Sequence, residues 1–93
     1  MYNLELLSFR LHLTRMVNNR QLNHLKPGEN GVIYSINAEQ GLHQRLNALG
    51  FRIGKKIELI RCASFNGPLH VRIGATDIIL RGVDAQRIQL HVA

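Results

Sequence analysis

Along the second half of the chain, apolar and polar residues take turns. Leu69, Val71 and Ile73 alternate with His70 and Arg72, and Ile88, Leu90 and Val92 alternate with Gln89 and His91. A period of two sends successive side chains to opposite faces, so each run predicts a strand with one face buried. Val32-Ile33-Tyr34-Ser35-Ile36 and Ile57-Glu58-Leu59-Ile60-Arg61-Cys62-Ala63 read as strands through their β-branched and aromatic content. Ile78-Ile79-Leu80 adds a fifth. Leu42, Leu46 and Leu49 recur instead at helical spacing on one face. They predict one short helix, ended by Gly50 in the left-handed conformation that closes helices.

The segments between these runs carry turn chemistry. Pro27-Gly28 combines a preset φ with a residue free to take positive φ. Ser64-Phe65-Asn66-Gly67-Pro68 joins two strands into a hairpin, taken as symmetric about Asn66. Gly74-Ala75-Thr76-Asp77 turns the chain again, and Val83 to Arg87 reads as a single helical or 3₁₀ turn. Five strands and one helix must bury one face against themselves. At this size the economical answer is a small closed or nearly closed barrel, SH3-like or OB-like, mainly β with one inserted α-helix.

The first residues differ. Leu7, Phe9, Leu11 and Leu13 alternate with Ser8, Arg10, His12 and Thr14, as a half-buried strand would. Met16 to Gln21 then reads as a polar link. Residues 1–21 therefore form an N-terminal extension, strand-like or loosely ordered, and residues 22–93 form the barrel domain. The extension would cover a barrel edge, pair with another chain, or be loosely held.

Composition narrows the setting. Ninety-three residues hold one core and no second domain, and 45% hydrophobic content is that of a folded domain. A lone cysteine, Cys62, excludes an intramolecular disulfide and suits a reducing cytoplasm. No run approaches the roughly 18–20 apolar residues of a membrane span, and Arg10 and Arg15 interrupt anything resembling a secretion signal. A cytoplasmic location is expected. Twelve Lys+Arg against six Asp+Glu give a net charge of +6, which attracts nucleic acid, anionic lipid head groups or acidic protein faces. The cations are dispersed, with Lys55-Lys56 the only adjacent pair, as on a solvated surface.

Catalytic chemistry has little to stand on. The acidic residues form no pair at active-site spacing, no serine or cysteine sits in a nucleophile motif, and no phosphate-binding glycine run exists. No enzyme activity and no cofactor are expected. Gly31, Gly54, Gly67 and Gly74 are accounted for by turns. The histidines His12, His24, His43, His70 and His91 lack metal-ligand spacing. Cys62 and His70 would face each other across a symmetric hairpin, near enough to share a metal ion. Two ligands leave a zinc site incomplete, so they are weak metal candidates only.

Several ordered stretches resemble the FeoA family of bacterial ferrous iron uptake. They are Leu25-Lys26-Pro27-Gly28-Glu29, Gly31-Val32-Ile33, and above all Gln44-Arg45-Leu46-Asn47-Ala48-Leu49-Gly50-Phe51-Arg52-Ile53-Gly54. Gly67-Pro68-Leu69-His70-Val71-Arg72-Ile73, Ile79-Leu80-Arg81, Asp84-Ala85 and Ile88 continue the series. The resemblance runs over residues 22–92. It implies an SH3-like barrel with a helix inserted after the first strand. It also implies an accessory role toward FeoB, a membrane permease with a cytoplasmic GTP-hydrolysing domain, and so a membrane location only through that partner. The same barrel ends iron- and manganese-responsive repressors of the DtxR type, but this length leaves no room for their winged helix.

The expected mode of action is docking. Structurally, Leu46 and Leu49 seat the helix on the barrel and Gly50 caps it. Functionally, the helix and Phe51 would wall a groove with Arg45 as a charged anchor at its rim, and Gly67 and Pro68 of the hairpin would extend the surface. A homo-oligomer is compatible with this. The rival reading is an RNA-binding SH3-like barrel of ribosomal kind, supported by charge. It is opposed by an aromatic content of 5%, since exposed rings are the usual handle on single strands.

Overall fold

The structure, a computed structural model, describes residues 18–92. Six strands form one antiparallel sheet in the order β1-β6-β2-β3-β4-β5. They are β1 (Asn18–Gln21), β2 (Asn30–Ile36), β3 (Lys56–Cys62), β4 (Leu69–Ile73), β5 (Thr76–Leu80) and β6 (Ile88–Val92). A helix, α1 (Gln40–Ala48), is inserted between β2 and β3, and a single turn, α2 (Gly82–Ala85), leads into β6. The architecture is the expected one: mainly β, SH3-like, with one inserted helix.

The alternation read from the sequence is the packing. Leu69, Val71 and Ile73 of β4 and Ile88, Leu90 and Val92 of β6 point inward, as do Ile57 and Leu59 of β3 and Ile33 of β2. They join Leu22, Leu25, Leu46, Phe51, Leu80 and Ala85 in a single core cluster. Burying a large aliphatic side chain contributes about 1.5–3 kcal/mol, so this cluster is what outweighs the entropy of ordering the chain.

Two expectations need correction. Among the described residues there are six strands instead of five, because the last four residues of the expected polar link, Asn18–Gln21, are β1, paired from Asn18↔Val92 to Gln21↔Gln89. This edge strand is held by its backbone ladder and by polar ties, so no apolar alternation announced it. Arg20 donates to both carboxylate oxygens of Glu29 at 3.1 and 3.2 Å, and the His91 ring bonds Asn19 while stacking on Tyr34 at 4.1 Å. The strand expected over Leu7 to Leu13 lies outside the described residues.

The β3–β4 hairpin also departs from the symmetric register, by one residue beside the turn and by two beyond Ile60. Its pairs are Ile57↔Ile73, Glu58↔Arg72 and Leu59↔Val71, then Arg61↔His70 and Cys62↔Leu69. A bulge at Ile60 absorbs the extra residue. Among the described residues, no helix is long and apolar enough to cross a membrane.

Candidate docking surface

The helix α1 ends in a way its sequence dictates. Leu49 is the last residue in helical conformation, and Gly50 follows at φ +103°, which a residue with a Cβ adopts only under strain. The Gly50 N–H then donates to the Asn47 carbonyl and the Phe51 N–H to the Leu46 carbonyl, both at 3.0 Å. That pair of bonds is the Schellman closure, and it normally brings together an apolar residue on each side of the glycine. Here those residues are Leu46 and Phe51, both sealed in the core.

Leu46 and Phe51 are therefore not the wall of an open groove, as the sequence suggested. A phenylalanine ring gains most by leaving water completely, and the reversal at Gly50 carries Phe51 under the helix, where it is 0% exposed. Leu49 is left at the rim, 45% exposed, although it shares helical spacing with the buried Leu46. Arg45 is exposed on the last turn and Gly50 is half-buried.

The chain then makes a second tight turn. The Lys55 N–H donates to the Arg52 carbonyl at 3.1 Å, with Gly54 at φ +91° supplying the left-handed corner. Gly54 is pinned to β2 through the Ile33 carbonyl at 2.7 Å. Between this turn and the β4–β5 turn lies a groove of about 510 Å³. Leu49, Gly50, Arg52, Lys55 and Lys56 line one side and Ile73 to Thr76 the other. Of the expected docking residues, then, Leu49 and Gly50 reach this groove, and Leu46 and Phe51 support it from inside. Lys55-Lys56, which the sequence presents as dispersed surface charge, is one of its walls. Sequence spacing gave no sign of that, because the opposing wall comes from residues 73–76.

Gly67 and Pro68 lie elsewhere, at the base of the β3–β4 hairpin, where the Ala63 N–H donates to the Pro68 carbonyl at 3.0 Å. Phe65 and Asn66 at the tip sit at φ +59° and +57°, and the Gly67 N–H closes the turn on the Ser64 carbonyl at 3.2 Å. The tip rests on α2: a Cβ at Gly82 would collide with the Asn66 carbonyl oxygen. Phe65 projects fully into solvent. The sequence places it in a turn, and its exposure follows only from the observed turn geometry.

The Cys62–His70 pair does not form. Cys62 is opposite Leu69, and His70 Nε2 is 2.9 Å from Asp77 Oδ2 on β5. Arg72 also holds Asp77, through Nε at 2.7 Å. The hydrogen bond from Arg72, then that from His70, pulls the Asp77 carboxyl down to about 2. Among the described residues, no three His, Cys, Asp or Glu side chains gather as a metal site would require.

Comparison with known proteins places this arrangement. The sequence model of the FeoA domain matches residues 20–92. A Campylobacter jejuni protein named as an Fe(2+) transport protein A is 31% identical over 71 residues, covering 76% of this chain and 96% of that protein. An Fe(2+) transport protein A/Fe(2+) transporter FeoB fusion protein of Porphyromonas gingivalis is 29% identical over 72 residues, or 77% of this chain and 8% of the fusion. Among solved structures, Stenotrophomonas maltophilia FeoA, an SH3 domain protein complexed with zinc, superposes with a TM-score of 0.65 at 26% identity. That superposition covers 80% of this chain and 99% of the other. With nearly its whole described length matched by the domain, the chain belongs to the FeoA family.

Proposed function

We propose that this protein is an accessory factor of ferrous iron uptake that docks, without catalysis, on the cytoplasmic GTP-hydrolysing region of a FeoB-type permease. The observation that carries the reading is the Porphyromonas gingivalis relative, in which a segment like this one and FeoB share a polypeptide. Fusion keeps two modules at high effective concentration, which benefits partners that must meet.

The geometry supports one place of contact in this reading. The exposed end of α1, with Leu49 at its rim and Arg45 on its last turn, presents an apolar group beside cationic ones. Interfaces favour such combinations, since a desolvated aliphatic contributes affinity and a guanidinium fixes orientation. Docking would hold the permease in one conformation, to the extent that this surface fits one state better than the other. Gly67 and Pro68 contribute by holding the β3–β4 hairpin in shape.

The test is direct binding of the purified protein to the purified cytoplasmic region of the FeoB-type permease from the same organism, with nuclease present. Saturable binding unaffected by nuclease is expected. Absence of binding would refute the reading, and binding that disappears with nucleic acid would refute it in favour of the RNA-binding alternative.

A further inference from the structure

We propose that the groove beside the end of α1 receives an acidic segment of the protein partner, with carboxylates on Arg52, Lys55 and Lys56 and an apolar side chain against Leu49. The inference deepens the docking reading and rests on it for the identity of the partner, while the chemistry of the groove stands on its own observations.

The first observation is where the acidic residues went. Glu29 is bound by Arg20, Asp77 by Arg72 and His70, and Asp84 by Arg81. Glu39 precedes α1, at the opposite end of the helix from the groove. Glu58 sits in a neighbouring hollow with Lys56 and Arg72. Among the described residues, Arg52, Lys55 and Lys56 have no ion-pair partner, and no carboxylate lines the groove. A cleft with low-dielectric walls focuses the field of three such charges, so an anionic group meets it more strongly than a scattered surplus would allow.

The second is that the helix end does not consume these cations. C-terminal carbonyls often attract Lys and Arg, but here the Arg45, Leu46 and Asn47 carbonyls already accept the N–H groups of Leu49, Gly50 and Phe51. The third is preorganisation. Arg52 and Lys55 are the first and last residues of one hydrogen-bonded turn, and Gly54 ties that turn to β2. Little backbone freedom is left to lose on binding.

Shape selects the occupant. A bilayer is flat, whereas this site is a concave space of about 510 Å³ flanked by the exposed Leu49 and Ile53, 45% and 68% exposed. A peptide carrying both carboxylates and an aliphatic side chain satisfies the two chemistries together. A small anion satisfies one.

The experiment follows backbone amide shifts by NMR while the protein is titrated with a short synthetic peptide of Glu and Leu. Shifts concentrated at residues 49–56 and 73–76 are expected, weakening as salt rises. The double variant Lys55→Glu/Lys56→Glu should lower affinity about tenfold or more. Both side chains are exposed, and unchanged peak dispersion will show that the variant is folded. A peptide of Lys and Leu should bind the variant in preference to the wild type, a reversal that damage to the fold would not produce. The proposal is overturned if the shifts fall elsewhere, if they survive the charge reversal, or if inorganic phosphate or phosphatidylserine vesicles reproduce them. Permease binding that ignores the charge reversal would likewise sink the groove proposal and leave docking intact. A permease that stays unbound while the peptide binds would remove the docking reading and leave the groove chemistry standing.

Discussion

The Phe51 N–H reaches back across Gly50 to the Leu46 carbonyl at 3.0 Å, and the two residues joined by that bond are both buried in the core. Leu49, between them in sequence, is outside. Phe51→Ala should therefore cost about 3–5 kcal/mol, a large part of what a domain of this size possesses. Leu49→Ala should stay within about 0.5 kcal/mol of wild type. Urea denaturation midpoints will separate the two, and a large loss from Leu49→Ala would mean the rim residue is core.

Glycine positions offer an opposed pair. At Gly82 a methyl group would collide with the Asn66 carbonyl, which is backbone and has no rotamer to escape into. Gly82→Ala should destabilise by about 1–3 kcal/mol. At Gly41, within α1, the added methyl meets nothing, and Gly41→Ala should stabilise by up to about 1 kcal/mol through helix propensity. Thermal melts read both signs.

Phe65 holds φ +59° without burying its ring. Asparagine tolerates that conformation far better than an aromatic residue. Phe65→Asn should raise stability by about 0.5–1 kcal/mol. A lower midpoint would show that the ring makes contacts outweighing its backbone strain.

Asp77 gives the chain an acid-sensitive cross-strand clamp. Its carboxyl is held at about 2, below its ordinary 3.8, first by Arg72 and then by His70. A depressed folded-state value means stability present above the unfolded value and lost as pH falls from about 4 toward 2. Glu29 is lowered as well, by the Lys26 N–H foremost and by Arg20, so it adds to acid sensitivity in the same direction. Asp77→Asn should flatten, without abolishing, the fall in stability between pH 5 and pH 2, as read from urea midpoints across that range. An unchanged slope would place the acid sensitivity elsewhere.

Much of this fold could be read from the chain. The inward residues of β4 and β6 are the alternating ones, the Pro27-Gly28 turn closes by a bond from the Glu29 N–H to the Lys26 carbonyl at 3.0 Å, and Gly50 ends its helix. What escaped has physical causes. The β1 strand is an edge held by main-chain pairing, which side-chain pattern does not encode. The turn from Ser64 to Gly67 sets Cys62 opposite Leu69 instead of His70, and a register shift of one residue leaves no mark in composition. Helical spacing put Leu46 and Leu49 on one face, yet the reversal at Gly50 lets Phe51 take the interior place and leaves Leu49 at the rim. The cationic wall at Arg52, Lys55 and Lys56 became a site only when folding set residues 73–76 opposite it.

Leu49→Ala, the substitution that should spare stability, puts docking to its most direct test: isothermal titration of wild type and variant against the purified cytoplasmic region of the FeoB-type permease. Saturable binding by the wild type and a loss of about tenfold in the variant are expected, the effect of truncating one aliphatic anchor in a desolvated contact. Equal affinities for the two proteins, or no binding by the wild type, would contradict the account.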